Sequence, residues 1–387
     1  MSTEGRLIGT SRLSPAALRS RFRGCLLGGA CGDALGAPVE FMSREKILRI
    51  YGPGGIEAFD TAYGRVGAIT DDTQMTLFTA EGLLRGWVRG SLNGITSYED
   101  TTSAAYLRWL LTQGEINPLL PRSLASGWLV EQIGFSARRG PGRTCLAALH
   151  AMTALGAPAR NDSKGCGGVM RLAPVGLFAA RLPQGSSPEG LPPSETFQLG
   201  VRLAALTHGH PSGWLPAGVL AVLVQGLVAG VPLAQALVVA KACLRRAPDH
   251  AETLDAILRA EDLAASDLAP SKRENGRAIA KLGQGWVGEE ALAIALYCAL
   301  VAPGFREGVV LAVNHDGDSD STGAIAGNLL GALWGAKEIP RAWLARLELK
   351  DVITEMADDL LAFPGWEISQ GAETEKGAAI TRKYPGL

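Results

Sequence analysis

The chain has 387 residues, 47% of them apolar and 19% charged, and its 37 basic and 38 acidic side chains leave a formal net charge of −1. A chain of this length can bury a large core, and its charge balance offers no clustered basic face for DNA or RNA, so no nucleic-acid partner is expected. Six cysteines (Cys25, Cys31, Cys145, Cys166, Cys243, Cys298) with no Cys-x-x-Cys pair argue against a disulfide scaffold or zinc ribbon and for reduced thiols in the cytoplasm.

Residues 1–13 are polar, lack the apolar segment of a signal peptide, and are read as a flexible N-terminus. Apolar residues three and four apart then predict helices at 14–36, 72–89, 100–113, 143–155, 195–207, 215–230, 233–245, 251–264, 287–302, 322–336 and 341–362. Alternating β-branched runs are nearly absent, so strands should be few and the fold all-α. Gly/Pro/Asn-rich loops fall at 51–69, 114–123, 134–143, 156–168, 182–193 and 303–306, and the segment 183–194 is expected on the surface and mobile. Trp214 to Leu244 is apolar enough to resemble a membrane span. Gln225, Gly226, Gly230 and Pro232 divide it into pieces of about 12–15 residues, short of the roughly 20 a bilayer needs. Two buried helices of a large core are the reading. No linker divides the chain, so 14–362 is taken as a single compact multi-helix domain. The C-terminal extension, 363–387, carries Pro364-Gly365-Trp366 and a polar, loosely ordered end.

Glycines recur every fourth residue at Gly24, Gly28, Gly32 and Gly36, and again at Gly323, Gly327, Gly331 and Gly335. At 3.6 residues per turn each set forms a flat ridge along one helix face. A helical glycine costs up to about 1 kcal/mol relative to alanine, so close helix contact or ligand approach must offset each ladder. The alternative for some of them, chiefly Gly32 and Gly36, is a helix end.

Two acidic motifs carry the chemistry. In Thr70-Asp71-Asp72-Thr73, Thr70 or Asp71 can cap the helix that follows, but capping needs one side chain and leaves the next acid unexplained. Asn314-His315-Asp316-Gly317-Asp318-Ser319-Asp320-Ser321 alternates carboxylates with small residues in what reads as an irregular loop opening a Gly/Ala helix. Such oxygens suit magnesium, calcium or manganese, although no glutamate closes an EF-hand loop. A solvated acidic turn is the alternative. Four carboxylates about 5 Å apart repel by roughly 3 kcal/mol per pair at an effective dielectric near 20, so a cluster survives only protonated or metal-bound. A two-metal site would relieve it.

Weaker signals surround these. Ser163-Lys164-Gly165-Cys166-Gly167-Gly168 can present backbone N–H groups to a phosphate, or be a plain tight turn. Glu40, past the first ladder, could be a general base or a surface acid. His208 and His210 sit at a helix end, where the dipole favours histidine; Glu289-Glu290 suit a helix start. Arg138, Arg139 and Arg143 read as a solvated loop, with phosphate contact the minority reading.

From Arg21 to Trp334 the chain resembles the ADP-ribosylglycohydrolase family, which includes ADP-ribosylarginine hydrolases and dinitrogenase reductase-activating glycohydrolases. The resemblance rests on Arg23-Gly24-Cys25-Leu26-Leu27-Gly28 with Gly32-Asp33-Ala34-Leu35-Gly36, on Thr70 to Thr73, Ser163 to Arg171, Leu206-Thr207-His208, and Gly317 to Ile325. It implies a compact all-α domain of that type with two magnesium ions, or manganese, held by Thr70, Asp71, Asp72, Asp318, Asp320 and Ser321. Ser321 stands where many relatives have threonine and keeps the hydroxyl. The resemblance makes Glu40 a gating or assisting glutamate and Glu40 or Asp320 the group that holds the attacking water. Ser163, Gly165, Cys166, Gly167, Gly168 and His208 become the ADP-ribose pocket, with Cys166 where other members can have asparagine. The implied substrate is an ADP-ribosylated protein, arginine-linked by preference, with ADP-ribose as product and no membrane involved. ADP-ribosyl-serine, other conjugates, or a non-catalytic ADP-ribose reader are the alternatives.

Overall fold

The computed structural model describes residues 13–121, 124–183, 190–266, 277–368 and 374–386; the expectations for residues 1–12 and for 184–189 lie outside them. Helices dominate: α1 (Pro15–Gly36), α2 (Arg44–Tyr51), α3 (Asp71–Asn93), α4 (Tyr98–Thr112), α5 (Arg143–Ala151), α6 (Ala173–Ala179), α7 (Pro193–Ala205) and α8 (Pro211–Val228) in the first part of the chain. They are followed by α9 (Leu233–Leu244), α10 (Ala251–Ser266), α11 (Gly288–Val301), α12 (Phe305–Val313), α13 (Ser319–Trp334), α14 (Arg341–Leu344), α15 (Lys350–Ala362) and α16 (Glu375–Lys383). Among the described residues the only sheet is a two-residue hairpin, β1 (Thr61–Ala62) against β2 (Arg65–Val66).

The two glycine ladders face each other. A Cβ on Gly24 would lie 2.3 Å from the Gly331 carbonyl oxygen, one on Gly28 2.4 Å from Gly327 O, and one on Gly32 1.9 Å from Gly323 O. The reciprocal distances, from Gly323, Gly327 and Gly331 to the oxygens of Gly32, Gly28 and Gly24, are 2.5, 2.0 and 1.9 Å. α1 and α13 therefore run antiparallel with backbone on backbone, and no larger residue fits at these positions. Gly32 is inside the helix and not at its end; Gly36, the last residue of α1, rests on Ser319 O, and Gly335 caps α13 with φ of 86°.

Around this pair pack α3, α8, α11, α12 and α15. The apolar stretch is longer than the sequence reading allowed. α8 is an 18-residue helix, long and apolar enough to cross a membrane by length and composition, but 89% of that window is buried inside the protein, which marks a core helix. Gln225 and Gly226 stay in the helix, and the Gln225 amide donates to Leu191 O at 2.7 Å.

Other boundaries shift for tertiary reasons. The predicted 341–362 helix is split: Leu349 adopts φ of 54° where the Glu348 N–H donates to Gly67 O. The short helices α2, α6, α12 and α16 lacked enough turns to show a period. The tail is not loose over its described part, since the buried Tyr384 donates to Asp359 and Lys383 pairs with Glu355 and Asp359 on α15.

Candidate active site

Three helix ends converge. Past the end of α1, the N–H groups of Val39 and Glu40 bond back to Gly36 O and place Glu40 one turn beyond the ladder. Thr70 caps α3: its Oγ1 accepts from the Asp72 N–H at 3.3 Å. Asp318 caps α13 by accepting from the Ser321 N–H, also at 3.3 Å. The second acidic motif is thus not an irregular loop; Ser319, Asp320 and Ser321 form the first turn of α13, and the positive ends of two helices face the cluster. Gly317 (φ 124°) lets the chain pass so close to Gln284 that a Cβ would lie 2.1 Å from Gln284 O. The Asp318 N–H donates to that same oxygen at 2.8 Å.

Carboxylate oxygens of Glu40, Asp318 and Asp320 come within 4.8 Å of one another. Asp71 and Asp72 belong to the same charge cluster. Burial holds Asp72 well above the usual carboxylate range, and Asp320, Asp33, Asp71 and Asp318 push it further. Asp71 is raised by burial, opposed by the Gly142 N–H it accepts at 3.0 Å, and raised again by Asp320 and Asp33. Burial and then Asp320, Asp318 and Asp71 push Glu40 up to about 10. Asp318 is raised well above the usual range by burial and then by Asp320; Asp320 is raised by burial, with hydrogen bonds from its neighbours pulling back. Without compensation these acids hold protons, as clustered carboxylates must.

The donor set fits a divalent cation. Asp72 Oδ1 is buried and, among the described residues, accepts no hydrogen bond, although such an oxygen is costly to strip of water. Thr70 Oγ1 donates to the other oxygen, Oδ2, at 3.3 Å. Hard carboxylate oxygens such as those of Glu40, Asp318 and Asp320 suit magnesium or manganese; among the described residues Asp71 and Asp72 do not join that close set. Ser321 Oγ is buried 3.7 Å from Cys166 Sγ and 3.8 Å from Met170 Sδ.

Several residues packed around the cluster escaped the sequence reading. Asp33 is fully buried and accepts from the Thr70 N–H (3.0 and 3.1 Å) and from the N–H and hydroxyl of Thr73. Burial and Asp320 bring it to about 7. The sequence reading gave Asp33 no role, although it stands in the Gly32-Asp33-Ala34-Leu35-Gly36 stretch on which the resemblance rests. Arg139 is not a solvated or phosphate-facing arginine. It is buried, paired through both terminal nitrogens with Glu348 (2.9 and 3.1 Å), and its carbonyl accepts the Asp71 N–H. Glu348 also accepts from the Ile69 N–H, so this pair pins the Thr70–Asp72 turn. Arg138 pairs with Glu115 instead, and Arg143 is exposed at the start of α5. Tyr63, raised by burial and then Glu40 and Asp320, brings its hydroxyl to 2.8 Å from where a Gly140 Cβ would be. Phe41 stacks on Trp286 beside Glu40 (5.2 Å, 18°).

The glycine loop abuts the cluster. Cys166 Sγ donates to Asp318 Oδ2 at 2.7 Å, and the turn Cys166–Gly168 leads toward α6. The expectation of anion-facing amides fails at two positions. The Gly165 N–H goes to Ser163 Oγ and the Cys166 N–H to Trp286 O, because the loop pairs with the chain before α11. Ser163 also shares a hydrogen bond with Thr144, and His208 lies against Gly165, Gly167 and Gly168. His210 caps the start of α8, its Nδ1 accepting the Ser212 N–H, so the C-terminal dipole does not explain it. Glu290 takes the Gln284 and Gly285 N–H groups.

The family model described as ADP-ribosylglycohydrolase matches residues 14–367. The chain belongs to the ADP-ribosylglycohydrolase family. This glycohydrolase is similar to ADP-ribosyl-[dinitrogen reductase] glycohydrolase of Rhodospirillum rubrum, 28% identical over 354 residues, or 90% of this chain and 98% of that protein. It is also similar to ADP-ribosylarginine hydrolase Tri1 of Pseudomonas putida, 25% identical across 90% of this chain and 80% of that one. Among solved structures it resembles an ADP-ribosylglycohydrolase-related protein complex: TM-score 0.64, 26% identity, with 90% and 99% of the two chains covered. The glycohydrolase is thus an enzyme of ADP-ribosyl hydrolysis with an all-α fold.

Proposed function

We propose that this glycohydrolase removes ADP-ribose from a protein side chain, arginine by preference, with two magnesium or manganese ions held by Thr70, Asp71, Asp72, Asp318, Asp320 and Ser321. The observation that carries the reading is a buried cluster of acids from three helix ends with one carboxylate oxygen, Asp72 Oδ1, left unsatisfied. Arginine is favoured by the similarity to the Pseudomonas putida ADP-ribosylarginine hydrolase. When bound, the ions would offset the carboxylate repulsion and polarise sugar hydroxyls.

This chain's own residues then orient the sugar and move the proton. Glu40 sits at the open edge of the cluster, half-buried, while Asp318 and Asp320 lie beneath it. Burial is the first cause that raises the Glu40 carboxyl; neutralising the charge of Asp320 and Asp318 removes the like-charge part and favours its ionised form. Glu40, or Asp320 beside it, takes a proton from water as the water oxygen bonds to the anomeric carbon. The glycosidic bond breaks from an oxocarbenium-like state, its electron pair passing to the acceptor nitrogen. Loop 163–168 and His208 would seat the remainder of ADP-ribose, and that remote binding supports orientation at the reacting carbon. All six cysteines are free thiols, which supports a cytoplasmic setting.

The test is release of ADP-ribose from arginine-, serine- and DNA-linked substrates. Arginine-linked turnover is expected, lost in Asp71→Asn and Asp318→Asn. ADP-ribose binding without turnover of any conjugate would make the protein a reader and end the hydrolase reading.

A further inference from the structure

His208 closes the inner wall of the glycine loop at 1% exposure, and its two ring nitrogens meet different surroundings. Nδ1 lies 2.8 Å from Thr207 Oγ1. The opposite edge faces the loop: a Cβ on Gly165 would stand 3.3 Å from Nε2, and one on Gly167 3.4 Å away. Among the described residues, Nε2 makes no hydrogen bond.

The direction of the Nδ1 bond follows from counting protons. A threonine hydroxyl has one proton, and a guanidinium donates without ever accepting. Arg171 Nη2 donates to Thr207 Oγ1 at 2.6 Å, so the hydroxyl proton must leave toward another acceptor. Three are in reach: His208 Nδ1 at 2.8 Å, Ala204 O at 3.5 Å, which is the limit of a hydrogen bond, and the Cys145 thiol, whose neutral sulfur is a weak acceptor already taken by Arg171. Nδ1 therefore accepts, and the ring proton sits on Nε2. Arg171 is itself fixed, with Nε on the Tyr106 hydroxyl at 2.9 Å, Nη1 on Cys145 Sγ at 3.2 Å, and the guanidinium 4.5 Å over the Tyr106 ring. Among the described residues no carboxylate pairs with it. Burial and this nearby cation push the His208 ring down to about 3, so it stays neutral at working pH.

We infer that Arg171 and Thr207 are positioning residues that lock His208 as an Nε2–H donor, aimed across the glycine loop at an oxygen of the bound ADP-ribosyl group. The acceptor's identity rests on the proposed substrate; the tautomer does not. Gly165 and Gly167 then have a reason to be glycine: a side chain at either would cover the donor. A diphosphate oxygen and a ribose hydroxyl present the same acceptor chemistry.

The chain has five histidines, few enough for selective ¹⁵N labelling to resolve each ring, with His208→Asn giving the assignment. The free protein should show a pyridine-type Nδ1 and a pyrrole-type Nε2 at His208, unchanged between acidic and basic buffer. Thr207→Val should give mixed tautomers, and Thr207→Ser should restore the single form. A pyrrole-type Nδ1 or a doubly protonated ring in wild type overturns the lock. Adding ADP-ribose should shift the Nε2 signal. If pyrophosphate shifts it too, the diphosphate is the acceptor; if pyrophosphate leaves it unmoved, the ribose is. ADP-ribose affinity should fall about five- to tenfold in Thr207→Val, the loss of one aligned neutral hydrogen bond, and stay near wild type in Thr207→Ser. Equal affinity in wild type and Thr207→Val overturns the donor role. Wild type with the Nε2–H form that binds no ADP-ribose refutes the proposed substrate and this acceptor together. A reversed tautomer with intact ADP-ribose binding refutes the lock and leaves the proposed function standing.

Discussion

Replacing Gly327 by alanine tests the helix pairing on which the site depends. In an isolated helix this change stabilises by about 1 kcal/mol, because alanine is the better helix former. Here the new methyl would lie 2.0 Å from Gly28 O and 2.5 Å from Gly28 C, both backbone atoms that cannot rotate away. α1 and α13 would have to part by roughly 1 Å or more, opening voids along a close-packed seam. Overpacking costs typically about 1–3 kcal/mol, and a backbone obstacle belongs at the upper end. The net expectation is a loss of about 2 kcal/mol, read as a lower midpoint in guanidinium unfolding. Gly90→Ala is the control. Gly90 also lies in a helix, but its Cβ would meet only Thr96 side-chain atoms at 3.4 and 3.6 Å, so that variant should gain about 0.5–1 kcal/mol. Opposite signs for the two alanines are required. If Gly327→Ala is as stable as Gly90→Ala, the ladders do not meet and the convergence of Asp33, Asp318 and Asp320 loses its scaffold.

Glu40 at about 10 and Asp33 at about 7 are both held above the ordinary carboxyl range near 4, so the folded metal-free protein binds more protons than the unfolded chain. The stability they supply is complete in acid and is lost as pH climbs from about 4 through 7 toward 10. Magnesium needs the ionised acids, so it should raise the melting temperature more at pH 8 than at pH 5.5, and chelator should reverse the gain; equal shifts at both pH values would contradict this. Asp318→Asn removes one member of a repelling cluster and should stabilise the metal-free protein by about 1 kcal/mol while abolishing the magnesium shift; a lower melting temperature without metal would argue against the repulsion. Glu348→Ala leaves Arg139 buried without its partner and should cost about 3 kcal/mol, with a fall in ADP-ribose release although Glu348 is separated from the cluster by the Thr70 turn. Unchanged thermal unfolding and turnover would show that the pair does not hold that turn.

The sequence alone carried the fold class, because helical spacing is local and survives in any tertiary setting: the long helices appear where the apolar period predicted them. It also carried the two acidic motifs, since a run such as Asp71-Asp72 exceeds what capping needs. The ladders announced a close approach, but only the fold showed that each was the other's partner, because the spacing of one helix says nothing of which surface covers it. The same limit hid Asp33, an isolated acid whose meaning comes from the Thr70 and Thr73 donors 37 and 40 residues later. It hid Arg139 and Glu348, joined across 209 residues, and the Arg171–Thr207–His208 chain. Helix propensity, capping and period are properties of neighbours in the chain. Which buried charge meets which donor is fixed only when helices pack and water leaves, since the cost of an unpaired buried group then selects the partner.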